Sequence, residues 1–359
     1  MFNQRVKNLQ PYTVSGRDKF IHDKEWLLLD WNESTLSAPK HVQNVLIDVI
    51  QNGFLNYYPD THSKEGLKIL SNYLKIEPGK ISIFNGSDSA LNIAFECILN
   101  ENDIVSIYGP EYSQIDTFIE MKGAKINEIK CTNIFEFDID LINSSIKDSK
   151  IFYFSNPNNP TGRFVNINIL NQLVSNNPNT FFFIDEAYID FASENSISLT
   201  ENYDNVIIFR TFSKAFGLAS LRIGYVISAE NNITYLNKVR NGKEVNLLAQ
   251  IAMCEILKDD KEIKSHIESI KDVRNWFLLE INKLDGFLAY ESHSNFILIK
   301  HSNHSEIINF LFDNKILVRD RSSLNGLNNC FRITIGNEIE MRKVLDVINK
   351  WNETNYTRS

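Results

Sequence analysis

The sequence contains few cysteines, and they are not clustered. Cys97, Cys131, Cys254 and Cys330 are spread over 359 residues, and no two form the closely spaced pair typical of zinc sites or disulfide frameworks. We therefore expect reduced thiols and no bound metal. The first residues lack the apolar segment of a signal peptide, and no apolar run approaches the about 18 residues that a membrane helix needs. These absences predict a cytoplasmic protein without a membrane partner.

Positively charged residues are fewer than negatively charged ones. The chain has 37 lysines and arginines against 45 aspartates and glutamates, which gives a net charge of −8. Nucleic acids and anionic membranes require a basic face, so both are disfavoured as partners. The hydrophobic fraction of 43% is ordinary for a soluble globular protein. The length favours a large domain with a smaller one beside it.

Short apolar runs alternate with helical patterns from about residue 64 to 245. The runs are β-branched or aromatic and apolar throughout, as expected for strands buried on both faces of a mainly parallel sheet. They lie at 81–84, 103–108, 150–155, 181–185, 206–209 and 224–228. Helical patterns between them, at 89–99 and 113–123, complete an α/β signature. We predict a three-layer α/β domain.

The last third of the chain has a different pattern. Long helical segments occupy 246–283, and strand-like runs at 296–300 and 331–336 follow with helical patterns between and after them. This indicates a smaller α+β domain. The predicted division is an N-terminal arm and part of the small domain at 1–40, a large domain at 41–245 and a small C-terminal domain at 246–359.

Two segments that follow predicted strands suit a bound phosphate. In open α/β sheets, ligands bind at the carboxyl ends of the strands. Gly86 allows a tight turn into a helix whose first N–H groups can bind an anion. Such a turn more often serves only to cap the helix. Thr211, Ser213 and Arg222 offer two hydroxyls and a guanidinium. Lys214 lies among them between small and apolar residues, and partial burial would lower its pKa as imine chemistry requires.

Two further strand ends suit a pyridine ring. Two prolines and a glycine fix the backbone around Asn159, which can donate to a ring hydroxyl, although an ordinary turn has the same composition. Asp185 ends a wholly apolar strand, where an uncompensated carboxylate is costly. A helix cap is the alternative role for Asp185. A protonated ring nitrogen would compensate it, as in enzymes that use pyridoxal 5′-phosphate (PLP). Tyr188 could reach the 3-oxygen of such a ring.

These segments resemble the motifs of one enzyme family. NPNNPTG (156–162), DEAY (185–188) and TFSKAFGLASLRIGY (211–225) are similar to those of the fold-type I PLP-dependent class I/II aminotransferases, in the histidinol-phosphate aminotransferase branch. Tyr58-Pro59-Asp60, the segment 316–320 and the segment 331–336 extend the similarity from about residue 25 to the C-terminus. The resemblance implies a PLP-binding large domain and a homodimer with active sites at the subunit boundary.

The resemblance implies a role for each cofactor residue. Lys214 would hold the cofactor as a Schiff base and then move a proton, with Asp185 paired to the pyridinium. Asn159 and Tyr188 would contact the 3-oxygen, and Tyr112 would stack on the ring. The residues around the phosphate would be Ser87, Asp88, Thr211, Ser213 and Arg222, with Tyr58 reaching in from the partner chain.

The resemblance also implies a substrate end. Arg332 would bind a carboxylate or phosphate, Arg319 would assist, and Asn32 would lie nearby, although both arginines equally suit surface ion pairs on sequence alone. The chain departs from the branch at Trp31 and at 242–246, both near the substrate end. We expect transamination between L-glutamate and a small phosphorylated ketone of the histidinol-phosphate type.

Other functions stay open at this point. One is a paralogue that forms a different amino-alcohol phosphate, for example from dihydroxyacetone phosphate for surface polysaccharides. Another is a PLP-dependent decarboxylase of a phosphorylated amino acid. A PLP-binding transcription regulator is disfavoured, because the enzyme pattern begins by about residue 25 and leaves no room for a DNA-binding domain.

Overall fold

The strands of the residues that the structure describes form three separate sheets. The computed structural model describes residues 3–9, 17–53, 55–130 and 133–356. In chain order its strands are β1 (Leu27–Leu28), β2 (Ile81–Phe84), β3 (Ile104–Ile107), β4 (Lys125–Glu128), β5 (Ile151–Ser155), β6 (Phe181–Asp185), β7 (Val206–Thr211), β8 (Gly224–Ser228), β9 (Leu288–Ala289), β10 (Phe296–Lys300), β11 (Ile316–Leu317), β12 (Arg319–Asp320) and β13 (Cys330–Thr334).

The helices cover the faces of these sheets. In chain order they are α1 (Gln4–Asn8), α2 (Lys40–Asn52), α3 (Lys64–Leu74), α4 (Ser87–Ile98), α5 (Gln114–Lys122), α6 (Ile139–Ser145), α7 (Ile167–Asn176), α8 (Leu199–Asn202), α9 (Glu230–Val239), α10 (Leu247–Lys258), α11 (Lys261–Ile281), α12 (His304–Asp313) and α13 (Glu338–Tyr356). No helix among the described residues is long and apolar enough to cross a bilayer.

The central sheet has seven strands in the order β2-β8-β7-β6-β5-β3-β4. Strands β3 to β7 pair in parallel, and only β8 runs antiparallel to its neighbours β7 and β2. Alternate residues of β5 enter different hydrophobic clusters, Phe152 and Phe154 on one face and Tyr153 on the other. Both faces are therefore covered, which confirms the predicted three-layer α/β fold with a mainly parallel sheet.

The edge strand β4 was not predicted from the sequence. Its residues Lys125, Ile126 and Glu128 are exposed, so the segment lacks the apolar run that identifies the other strands. A charged, exposed strand at a sheet edge discourages pairing with other chains.

The C-terminal region forms its own antiparallel sheet, in the order β12-β13-β10-β9. Helix α13 packs against α11 and α12 beside this sheet. Near the N-terminus, β1 pairs in parallel with β11, so the first part of the chain joins the C-terminal region. The predicted domain limits at 40 and 245 stay predictions. Cys97, Cys254 and Cys330 carry free thiols, and Cys131 lies outside the described residues.

Candidate active site

The carboxyl ends of β5, β6 and β7 open into one cavity. Ser155, Asp185 and Thr211 end these strands and line a cavity of about 120 Å³. Its other lining residues are Ser87, Asp88, Tyr112, Asn159, Ala187, Tyr188, Ser213, Lys214 and Arg222. The structure thus brings together every cofactor residue predicted from the sequence except Tyr58. Their individual roles stay predictions.

One end of this cavity suits an anion. Arg222 donates to Asp88 Oδ2 at 2.9 Å, beside the start of α4, whose first N–H groups have no intrahelical acceptor. A Cβ atom at Gly86, where φ is +83°, would lie 2.8 Å from Arg222 Nη2, and one at Gly224 would lie 2.6 Å from the backbone nitrogen of Ser87. The two glycines therefore let the guanidinium approach the helix start. The hydroxyls of Thr211 and Ser213, 2.9 Å apart, complete this end.

Another part of the cavity, at Asp185, suits a cation. One carboxylate oxygen accepts a hydrogen bond from the Tyr153 hydroxyl at 3.0 Å, and the other accepts one from the Ala187 N–H at 3.0 Å. The residue is only 6% exposed, and burial raises the pKa of Asp185 to about 6. A positive group bound in the cavity would stabilise the anion. Sequence reasoning missed Tyr153, because its hydroxyl lies within an apolar strand run.

Lys214 lines the same cavity. Its Nζ donates to the backbone oxygen of Trp31 at 2.9 Å and lies 5.7 Å from the centre of the Tyr188 ring. The Tyr188 hydroxyl accepts a hydrogen bond from the Asn32 amide at 2.9 Å. Asn32 is buried with φ at +56°, a left-handed conformation that non-glycine residues rarely adopt. Asn32 thus contacts Tyr188, and its expected place near the substrate stays a prediction.

A cluster of arginines lines a wider cavity of about 530 Å³ that shares Lys214 with the first. Arg319 and Arg332 are directly opposite each other on β12 and β13, and Arg321 lies two residues after Arg319, so all three emerge on one face. Arg332 donates to Asn159 Oδ1 at 2.5 Å and to the backbone oxygen of Asp30 at 2.6 Å. Burial, followed by the charge of Arg321, lowers the pKa of Arg332 to about 9.

Arg321 was not predicted. The signal that could have found it is the spacing Arg319-x-Arg321, which places both side chains on one face of a strand.

The acidic residues of the wider cavity are engaged with other groups. Arg17 forms ion pairs with Asp30 and Glu33 and lies 4.4 Å over the Trp31 ring. Nothing in the sequence pattern predicted that Arg17 would support residues that line the site. Arg17 offsets one of these two negative charges, and the arginine cluster exceeds the negative charge that is left.

Tyr58 lies outside both cavities. Its side chain is 79% exposed, and Lys243 Nζ lies 4.3 Å over its ring. Its expected contact with a partner's site stays a prediction.

Comparison with known proteins identifies the family. The profile of the family "Aminotransferase class I and II" matches residues 24–348. The chain is a class I/II aminotransferase. This confirms the resemblance seen in the motifs, and the cofactor of the enzyme is pyridoxal phosphate.

Relatives and solved structures agree with this family. A dihydroxyacetone phosphate transaminase of Campylobacter jejuni is 35% identical over 356 residues, covering 97% of this chain and 96% of the relative. A histidinol-phosphate aminotransferase of Clostridium novyi is 32% identical over 350 residues, covering 97% and 96%. The crystal structure of a histidinol-phosphate aminotransferase from Sinorhizobium meliloti in complex with pyridoxal-5′-phosphate has a TM-score of 0.88 at 21% identity, covering 98% of each chain. That likeness shows the fold.

The side chains of the smaller cavity fit pyridoxal phosphate. The buried Asp185 carboxylate matches a protonated ring nitrogen, and the polar end at Arg222 matches a phosphate. Lys214 supplies the amine that an aldehyde requires. No group of His, Cys, Asp and Glu suited to a metal ion occurs within the described residues.

Proposed function

We propose that this aminotransferase moves an amino group between L-glutamate and a small phosphorylated ketone of the histidinol-phosphate type. The observation that carries the proposal is the arginine cluster of residues 319, 321 and 332 in the cavity wall near Lys214. Guanidinium groups bind carboxylate and phosphate through paired hydrogen bonds. Three of them, next to carboxylates already engaged by Arg17, suit a ligand that carries two negative charges.

The names of the relatives support a phosphorylated substrate. The Campylobacter jejuni and Clostridium novyi enzymes both act, by name, on a compound that carries a phosphate. A second candidate substrate for this chain is therefore dihydroxyacetone phosphate. The bulk of Trp31, held in the cavity wall by Arg17, favours this smaller ketone.

Each residue of the site would have a separate role in the transfer of the amino group. Pyridoxal phosphate, when bound, supplies an electron sink for the charge that develops on the substrate carbon. Asp185 would hold a proton on the ring nitrogen, and Lys214 would move a proton at the substrate carbon. Asn159 and Tyr188 would donate to the 3-oxygen. Arg332 would serve both half-reactions, because its guanidinium can donate hydrogen bonds to the carboxylate of glutamate and to the phosphate of the ketone alike.

We also infer a cytoplasmic homodimer. The exposure of Tyr58 on the loop after α2 supports a role in a partner's site, as do exposed apolar residues nearby on α2, Ile47 and Ile50. Sedimentation of the holoenzyme would measure the oligomeric state, and a Tyr58→Phe variant would test the contact.

A two-step titration of the holoenzyme tests the substrate class. L-Glutamate should remove the visible absorbance of the bound cofactor and yield 2-oxoglutarate in equal amount. The aminated enzyme is then offered imidazole acetol phosphate, dihydroxyacetone phosphate and their unphosphorylated counterparts. We expect only phosphorylated ketones to restore the absorbance. Restoration by the unphosphorylated compounds would contradict the proposal, and carbon dioxide release from a phosphorylated amino acid would indicate the decarboxylase instead.

Arg321→Gln tests the arginine cluster itself. A charge-assisted hydrogen bond contributes about 1.5–3 kcal/mol, so kcat/KM for the phosphorylated ketone should fall about 10- to 150-fold. The rate of the glutamate half-reaction should change much less, since Arg332 is retained. Arg342→Gln is the matched control, because Arg342 is exposed on α13 and pairs with Glu338. An equal loss of rate in both half-reactions would show that Arg321 does not recognise the phosphate.

A further inference from the structure

Glu111 is a carboxyl group in the cavity wall to which the proposed chemistry gives no task. It immediately precedes Tyr112 and lines the wider cavity. Burial raises the pKa of Glu111 to about 8, so keeping a carboxyl at this position costs the protein stability. Costly titratable groups beside a site are typical of residues retained for function.

The contacts of Glu111 join two loops of the site. One carboxyl oxygen accepts hydrogen bonds from the Ser155 N–H at 3.0 Å and from the Asn158 amide at 2.8 Å. The other oxygen accepts a hydrogen bond from the Ser155 hydroxyl. That hydroxyl oxygen in turn accepts the backbone N–H of Asn159 at 3.1 Å. A continuous chain of hydrogen bonds thus runs from Glu111 through Ser155 to Asn159.

Asn159 is held at a second point by the substrate end of the site. Its side-chain oxygen accepts a hydrogen bond from Arg332 at 2.5 Å, which leaves the amide N–H groups to donate elsewhere. With the backbone fixed from one side and the oxygen from the other, the amide has one orientation. Rigid support of this kind keeps a contacting group in its productive geometry.

We propose that Glu111 is a positioning residue that acts through Ser155 to orient the Asn159 amide toward the cofactor. This proposal depends on the family's cofactor, pyridoxal phosphate, and not on which phosphorylated ketone the enzyme uses. Glu111 itself need not touch the cofactor or the substrate.

The test uses Glu111→Ala, Glu111→Gln, Asn159→Ala and the double variant Glu111→Ala/Asn159→Ala. The readouts are the dissociation constant of pyridoxal phosphate, the pH midpoint of the absorbance of the bound cofactor, and kcat. Loss of one oriented hydrogen bond is worth about 1–1.5 kcal/mol, so Glu111→Ala should weaken cofactor binding about five- to tenfold. Its absorbance midpoint should shift in the direction seen for Asn159→Ala.

The conservative and double variants decide between positioning and other roles. Glutamine can accept the Ser155 N–H and donate to the Ser155 hydroxyl, so Glu111→Gln should retain most of the affinity. The double variant should match Asn159→Ala within about twofold, because residues that act in series are not additive. Glu128→Ala, on the exposed edge strand β4, is the control and should resemble the wild type.

Two results would overturn the proposal. One is a Glu111→Ala holoenzyme with wild-type affinity and absorbance midpoint. The other is a double variant whose losses multiply, which would mean that Glu111 and Asn159 act independently. If Glu111→Ala does not fold, Ser155→Ala breaks the same hydrogen-bond chain without changing the carboxyl group. A wild-type midpoint in Ser155→Ala would then overturn the proposal equally.

Discussion

Asp185 should destabilise the cofactor-free protein, although it is central to the proposed chemistry. Burial is the largest influence on this carboxyl group and raises its pKa from 3.8 to about 6, against the hydrogen bonds of Tyr153 and Ala187. The folded state therefore holds a proton that the unfolded chain releases. The part of the unfolding free energy that depends on this proton is fully present below about pH 3.8. It is lost as the pH rises through 6. A shift of about 2 pH units at 1.36 kcal/mol each amounts to about 3 kcal/mol.

Asp185→Asn removes this cost and keeps both contacts, with the direction of the Tyr153 hydrogen bond reversed. The asparagine oxygen can accept the Ala187 N–H, and its amide can donate to the Tyr153 hydroxyl, which is both donor and acceptor. At pH 8 the cofactor-free variant should be more stable than the wild type by up to about 3 kcal/mol. With an unfolding entropy of about 2.1 cal/mol/K per residue, this raises Tm by about 4 °C. Activity should fall at least about 100-fold, because the anion that opposes the ring nitrogen is gone.

The assay is thermal unfolding of both cofactor-free proteins at equal concentration between pH 4 and 8. The gap in Tm should be small near pH 4, widen to about pH 7 and then remain constant. Asp204→Asn is the control, because Asp204 is exposed and its replacement should shift Tm little at any pH. A variant that is no more stable than the wild type at pH 8, or a gap independent of pH, would refute this account of Asp185.

Two further substitutions test the phosphate end and the strained backbone. Arg222→Gln should change the Tm of the cofactor-free protein by less than about 1 °C, since exposed ion pairs contribute little and Arg222 and Asp88 are 44% and 39% exposed. It should weaken pyridoxal phosphate binding, measured by fluorescence titration, about tenfold or more, and an unchanged affinity would contradict a phosphate contact. Asn32→Ala should lose about 1 kcal/mol more unfolding free energy in urea than Asn32→Gly, because the left-handed backbone disfavours alanine, and equal losses would argue against strain at this position.

The central sheet could be predicted because its strands are buried on both faces. Strands such as β5 and β6 need apolar residues at every position, and this produced runs that located them to within one or two residues. The edge strand β4 has no such requirement, so its sequence carried no signal. Helices α4 and α5 coincide to within two residues with the helical patterns predicted at 89–99 and 113–123. Antiparallel pairing of β8 with β7 could not be derived, since a buried strand has the same composition in either direction.

The residues that line the smaller cavity were predictable because most of them follow a strand or stand within a recognisable motif. The residues that support them were not. Tyr153 resembles any core tyrosine until its hydroxyl is seen to face Asp185. Glu111 looks like a surface glutamate until its carboxyl is found against Ser155. Arg17 is distant in sequence from every motif, and only the fold brings it over Trp31. Supporting contacts depend on long-range geometry, which local patterns do not encode.

The substrate remains the least predictable feature, for a physical reason. A guanidinium binds carboxylate and phosphate with the same paired geometry, so the proposed role of the arginine cluster would determine the charge of the ligand but not its size. On the proposed function, size would be limited by the cavity wall, to which Trp31, Ile21 and Leu324 come from distant parts of the chain. Arg17 lies over Trp31 and is anchored by two carboxylates, an arrangement that holds an aromatic ring in place. The N-terminal segment should therefore decide whether an imidazole-bearing ketone or only a three-carbon ketone enters the site.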